Sequence, residues 1–249
     1  MKKINYIGMI LILTLWSLAS SATPGDVVKR GRSHVRGQRC AIVLHGLART
    51  SRSMRSIQRA LENEGYLVWN KTYPSTQKRI EELALVINEA LAYCAEHQST
   101  GIYFVTHSMG GILVRQYFQS HSTRHVNAIV MLAPPNHGSE IVDAHGDSAW
   151  FQWYHGPAGN QLGTGSQSLP LRLRPINAPI GVIAGTVSSD PWFGYLFKGL
   201  YDGKVSVESA RLEEMRDFLT VARGHTRIMD STEVIEQVLY FFEHLQFNK

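Results

Sequence analysis

From about residue 40 onward, short apolar runs alternate with amphipathic stretches along the chain. Cys40-Ala-Ile-Val-Leu-His45 is an apolar run of strand length and reads as a buried strand. Residues 51–64 predict a helix with Met54, Ile57 and Leu61 on one face, closed by Gly65. Residues 66–70 predict a second strand, and residues 80–96 a long helix with Leu83, Val86, Ile87, Ala90, Leu91 and Cys94 on its apolar side. Further strands are predicted over 102–106, 126–132, 180–184 and 218–222, with helices over 109–119 and 231–244. Strands that alternate with helices imply a mostly parallel sheet of about six strands with helices on both faces, an α/β fold.

The rhythm stops between Pro134 and Pro179. That stretch is rich in Gly, Pro and Ser, yet it carries Trp150, Phe151, Trp153 and Tyr154. A domain linker is usually poorer in aromatics. A long aromatic-bearing insertion over about 135–179 reads instead as a cap or lid over a site.

Composition changes the picture in three ways. The 249 residues are 44% hydrophobic and 18% charged, which suits a buried core in a single domain and argues against disorder. Met1-Lys2-Lys3, the apolar run from Ile7 to Leu18 and the small residues Ala19-Ser20-Ser21-Ala22 have the layout of a signal peptide over 1–22. Residues 23–249 are then the mature domain, periplasmic or secreted. The apolar run is short for a membrane span. Removing Lys2 and Lys3 lowers the formal charge from +5 to about +3. The remaining excess sits at Lys29, Arg30, Arg32, Arg36 and Arg39, a basic arm without the interleaved aromatics of a nucleic-acid site. Peripheral contact with anionic membrane lipid is compatible with such an arm.

The chemistry concentrates in Val105-Thr106-His107-Ser108-Met109-Gly110-Gly111, where a strand ends and a helix begins. A sharp turn there lifts a serine hydroxyl above the sheet, and small residues such as Gly110 give its strained backbone room. Thr106 stands where this turn usually has glycine. Upstream, Val43-Leu44-His45-Gly46-Leu47 closes the first strand with a His-Gly pair.

These motifs resemble the α/β-hydrolase superfamily, and within it small bacterial lipases and esterases, from about Cys40 to the C-terminus. The resemblance implies a serine hydrolase for small-molecule or lipid esters that needs no metal or organic cofactor, with Ser108 as nucleophile. It further implies an oxyanion hole from the N–H groups of Leu47 and Met109, with Gly46 allowing the chain to turn. The superfamily order is Ser, then acid, then His. Asp202, in Tyr201-Asp202-Gly203-Lys204-Val205, has the setting of the acid in several lipases. Asp190 is its rival, and Asp217 is expected to begin a strand. His225, between the last strand and the last helix, is the expected base, and His107 is expected to point away from the site. Ala133-Pro134-Pro135-Asn136-His137-Gly138-Ser139 resembles a pocket-shaping loop. His137, His145 and His155 follow no common metal-ligand spacing.

Two aromatic groups, residues 150–154 and Trp192, Phe193, Tyr195 and Phe197, are expected to line the mouth of the site and to suit an acyl chain. Ester hydrolysis leads. Thioesterase, acyltransferase and amidase chemistry would use the same residues, and a non-catalytic hydrolase-like binding protein would lack one of them. Cys40 starts the first strand, and Cys94 ends a helix that runs antiparallel to the strands. Both therefore fall at the same end of the sheet, where a disulfide is expected.

Overall fold

In the computed structural model, the structure describes residues 38–188 and 192–249. The sequence readings at 1–22, at the basic residues 29–36 and at Asp190 lie outside them. Six strands form one sheet: β1 (Arg39–Leu44), β2 (Leu67–Trp69), β3 (Gly101–His107), β4 (Val126–Leu132), β5 (Ile180–Gly185) and β6 (Asp217–Val221). Their order is β2-β1-β3-β4-β5-β6, and every neighbouring pair is parallel. The fold is a single α/β sheet domain, as the alternation implied, and Asp217 begins β6.

Successive side chains of a strand point to opposite faces, and here both faces are covered. Cys40, Ile42, Leu44, Phe104, Ile129, Met131 and Val182 face one layer. It contains the helices α2 (Ile80–Leu83), α3 (Val86–Glu96) and α4 (Met109–Tyr117). Ala41, Val43, Val105, Val130, Leu132 and Ile183 face the other. That layer is closed by Ile57 and Leu61 of α1 (Arg55–Asn63) and by Val234, Val238 and Phe241 of the C-terminal helix, Thr232–His244. Apolar burial on both sides explains why the strands read as continuous runs.

The single helix expected over 80–96 is two. From Leu85 the backbone bonds tighten to the third residue back, with Leu85 N–H donating to Glu82 O, Ile87 N–H to Ala84 O and Asn88 N–H to Leu85 O. Apolar spacing survives the break, so periodicity alone does not reveal it.

The stretch after β4 is not an unbroken loop. It holds α5 (Glu140–His145), α6 (Ala149–Gly159) and α7 (Leu169–Arg172). Gly156, at φ 63°, kinks α6, and a side chain there would run into the carbonyl of Thr76. Buried Arg115 of α4 donates to the carbonyls of Asn136, Pro170 and Leu173, which ties both ends of this insertion to the sheet layer. The last two helices are α8 (Val207–Ala210) and α9, the C-terminal helix already bounded.

Cys40 and Cys94 form the disulfide, with Cα atoms 5.8 Å apart. Among the described residues no helix is long and apolar enough to cross a membrane.

Candidate active site

Loops at the carboxyl ends of the parallel strands gather the residues singled out in the sequence, as open α/β sheets do. Three non-glycine residues with left-handed φ sit just beyond strand ends: Ala48 after β1, Ser108 after β3 and Ala133 after β4. Strain at this edge is held by its surroundings.

Ser108 occupies φ 53°, ψ −125°, between β3 and α4. Its N–H donates to Leu132 O at 2.8 Å, which fixes the turn to β4. Gly110 is required by close approach: a Cβ there would come within 2.8 Å of Leu44 O. Thr106 is fully buried, and Gly111 accommodates it, since a Cβ on Gly111 would lie 3.3 Å from Thr106 Oγ1 and 3.2 Å from Met131 Sδ.

His225 Nε2 lies 3.0 Å from Ser108 Oγ, and His225 Nδ1 lies 2.8 Å from Asp202 Oδ2. An ionised carboxylate only accepts, so Nδ1 carries the proton and Nε2 is left to accept from the serine hydroxyl. Asp202 is itself held in place. Its Oδ1 accepts from the N–H groups of Lys204 and Val205, at 3.0 and 2.9 Å, around Gly203 at φ 105°. Its carbonyl accepts from His225 N–H at 2.9 Å. Gly185, at the end of β5, leaves the space: a Cβ there would meet Arg223 O at 2.3 Å and Asp202 Cβ at 2.8 Å.

The N–H groups of Leu47 and Met109 make no hydrogen bond among the described residues. Leu47 lines the cleft beside Ser108, and Met109 is the first residue of α4. Gly46 serves a different purpose from the one expected. Its φ is not left-handed, but a Cβ there would sit 2.9 Å from His107 Nδ1 and 3.1 Å from Ser108 Cβ. Glycine is needed for close packing rather than for turning.

His107 also departs from expectation. It faces the cleft, and its buried ring donates from Nε2 to His225 O at 2.9 Å, with ring centroids 4.8 Å apart. Burial, and then the electrostatic influence of the neighbouring His225 ring, hold its pKa well below the usual imidazole range. The loop after β1 has a brace that the sequence reading missed. His45 stacks on Tyr73 at 3.8 Å, its Nε2 accepts from Tyr73 N–H at 3.2 Å, and Tyr73 Oη donates to His45 O. Ala48 N–H donates to Ser75 Oγ at 3.1 Å. Burial lowers the pKa of His45 and raises that of Tyr73. The only sequence signal was a Tyr-Pro-Ser run after β2.

The cleft holds about 390 Å³. Ile141, Val142, Phe151, Tyr154, His155 and Leu162 of the insertion form much of its wall, and Pro135 and Ser139 reach it from the loop after β4. The expected aromatic mouth is only partly realised. Trp153 is 85% exposed and Trp192 and Tyr195 are each 76% exposed, while Phe193 and Phe197 pack with Ile141 and Phe151 beneath the insertion. The remaining histidines are dispersed. His137 bonds to Ser209 O, and His145 packs on Trp150 and Phe193.

Comparison with known proteins agrees with this architecture. The family model for the alpha/beta hydrolase fold matches residues 42–162. A mature lipase of Bacillus licheniformis superposes with a TM-score of 0.64 at 18% identity, covering 85% of this chain and 93% of that one. A metagenomic carboxyl esterase gives 0.62 at 19%, covering 92% and 82%. Lipase B of Aspergillus fumigatus gives 0.65 at 14%, covering 83% of this chain and about half, 53%, of its own. No curated protein matches the sequence. The parallel sheet, the serine turn between β3 and α4 and these likenesses together show that the chain has the α/β-hydrolase fold.

Proposed function

We propose that the protein is a serine hydrolase of carboxylic esters, an esterase or lipase, working through an acyl-enzyme. The observation that carries this reading is the hydrogen-bonded series Asp202, His225, Ser108, with two nearby N–H groups, of Leu47 and Met109, that have no partner among the described residues. Ser108 Oγ attacks the ester carbonyl as His225 Nε2 takes its proton, and Asp202 steadies the resulting imidazolium. The carbonyl oxygen, now negative, is received by Leu47 and Met109 N–H. Collapse expels the alcohol, which leaves with the proton from His225. Water then repeats the sequence on the acyl-serine, releasing the acid and restoring Ser108. The lipase and esterase neighbours support an ester or lipid substrate.

In this reading residues 1–22 direct export and are removed, leaving the domain 23–249 with the insertion over 135–179 as its cap. A disulfide between Cys40 and Cys94 is consistent with an oxidising compartment, periplasmic or extracellular.

The test is hydrolysis of a panel of 4-nitrophenyl esters of increasing acyl length, together with labelling by a fluorophosphonate. Turnover and labelling at Ser108 are expected in the wild type, and both are expected to vanish in Ser108→Ala. Full activity in that variant, or labelling at another residue, overturns the assignment.

A further inference from the structure

Among the described residues, the cleft at Ser108 is lined by two cations, Arg49 and Lys204, and by no carboxylate. Asp202 lies behind His225 with both oxygens already engaged. Arg49 follows the loop that carries Leu47, and Lys204 follows Asp202, so the two cations approach Ser108 from different strands. Arg49 is half-buried, yet its guanidinium makes no hydrogen bond or ion pair among the described residues. The two other arginines that are not exposed among the described residues are occupied, Arg39 by Glu243 and Arg115 by backbone carbonyls. A partly desolvated guanidinium without a partner is costly, and its planar fork suits phosphate or carboxylate.

Both charges act on the site. Burial depresses the pKa of His107 and of His155, and in each case a cation adds to the effect, Arg49 for His107 and Lys204 for His155. One side of the wall is apolar, from Ile141, Val142, Phe151 and Leu162, while Ser139, Tyr154, His155 and Thr226 add polar atoms. The cleft is therefore amphipathic, with a positive lip and an oily side.

We propose that the ester cleaved at Ser108 carries an anionic group, phosphate or carboxylate, which Arg49 and Lys204 bind while its apolar part lies along Val142, Phe151 and Leu162. This deepens the serine-hydrolase reading and rests on it. A cationic cleft also draws anionic substrates in from solution, an effect that salt screens.

The test compares two matched pairs of esters by acid release. In one pair, 1-butyrylglycerol and 1-butyrylglycerol 3-phosphate, the anion is on the alcohol side. In the other, butyl hexanoate and monobutyl adipate, it is on the acyl side. In at least one pair the wild-type kcat/KM is expected to be about tenfold or more higher for the anionic member, a difference of about 1.4 kcal/mol. The pair that shows the preference identifies the source of the anion. The ratio should fall toward one at high salt and in R49Q/K204Q, mainly through KM. R49K, which keeps the charge, should retain most of it and so controls for folding. Ser108-dependent hydrolysis with no anionic preference in either pair, or a preference that R49Q/K204Q leaves intact, overturns this inference alone. Absence of Ser108-dependent hydrolysis for all four esters overturns the serine-hydrolase reading as well.

Discussion

The ring of His107 donates a hydrogen bond from Nε2 to the backbone carbonyl of His225, 118 residues further along the chain, at 2.9 Å. The residue that precedes the serine thus holds the backbone of the imidazole that bonds to that serine. His107→Phe keeps a ring but removes the donor and leaves a buried carbonyl unsatisfied, a cost of about 1–3 kcal/mol. In a positioning role this should appear as a fall in kcat of about 10- to 100-fold with KM little changed. His107→Gln, which restores an N–H donor, should recover part of the rate. Equal rates for the Phe variant and the wild type, in a protein of unchanged circular dichroism, would show that the bond does not position His225.

The same burial predicts sensitivity to acid. Burial is the first cause of the lowered pKa of both His45 and His107, so both are neutral in the fold. An unfolded histidine takes up a proton near pH 6.5. Below that value the unfolded chain binds more protons than the native one, and the linkage slope favours unfolding as pH falls. Stability is therefore complete above about pH 6.5 and is lost progressively below it, by up to ~1.4 kcal/mol per pH unit for each residue. Urea midpoints measured from pH 7.5 down to pH 5 should decline, and His107→Gln should decline less steeply. A flat wild-type profile across this window would falsify the assignment of two buried neutral imidazoles.

Asp202 is set up to make its replacement costly. One oxygen meets His225 Nδ1 and the other accepts from two backbone N–H groups. Asparagine offers one acceptor and one donor. Turned either way, its NH₂ faces donors: the Lys204 and Val205 amides, or Nδ1–H of His225, which would then be driven to the wrong tautomer. Asp202→Asn is expected to lower kcat by about 10³-fold or more. Asp190→Asn is expected to be mild. Steady-state rates for the two variants decide between them, and the reverse ranking would make Asp190 the acid.

What the sequence made legible follows the range of the interactions. Strands β1, β3, β4 and β5 are runs largely buried on both faces, so composition alone marks them to within a residue or two, and the partly exposed edge strand β6 is marked by Phe218, Leu219 and Val221. Ser108 and Asp202 sit in local turns whose glycines, Gly110 and Gly203, leave a mark in the sequence. The role of His107 depends on a contact across 118 residues, which no local pattern records. The helices of the insertion were missed for a related reason. Gly156 and Pro157 interrupt α6, and Trp150, Trp153 and Tyr154 are each more than half exposed, so no buried apolar period builds up. Burial of Phe151 beneath Phe197 is again a tertiary event.

The disulfide offers a way to separate stability from activity. Cys40 lies near the start of β1, while the opposite end of that strand, at Leu44, leads to the loop that carries Leu47. At about 3.3 Å per residue the two ends lie roughly 13 Å apart, so loss of the bridge leaves the site untouched. The bridge spans a sequence separation of 54. In the chain-entropy model, opening it returns on the order of 4 kcal/mol of freedom to the unfolded state. Both sulfur-bearing residues are buried in the apolar layer formed with α2, α3 and α4. Alanines at both positions therefore leave small cavities rather than stranded polar groups, and the net loss should be no smaller than the entropic one. Cys40→Ala/Cys94→Ala is expected to unfold at a clearly lower guanidinium concentration, with ester turnover at 25 °C close to that of the parent. Unfolding curves and initial rates on the same preparation test both halves. An unchanged midpoint would mean that the bridge adds nothing to stability, and a large loss of turnover in a folded variant would mean that the amino end of β1 is coupled to the site after all.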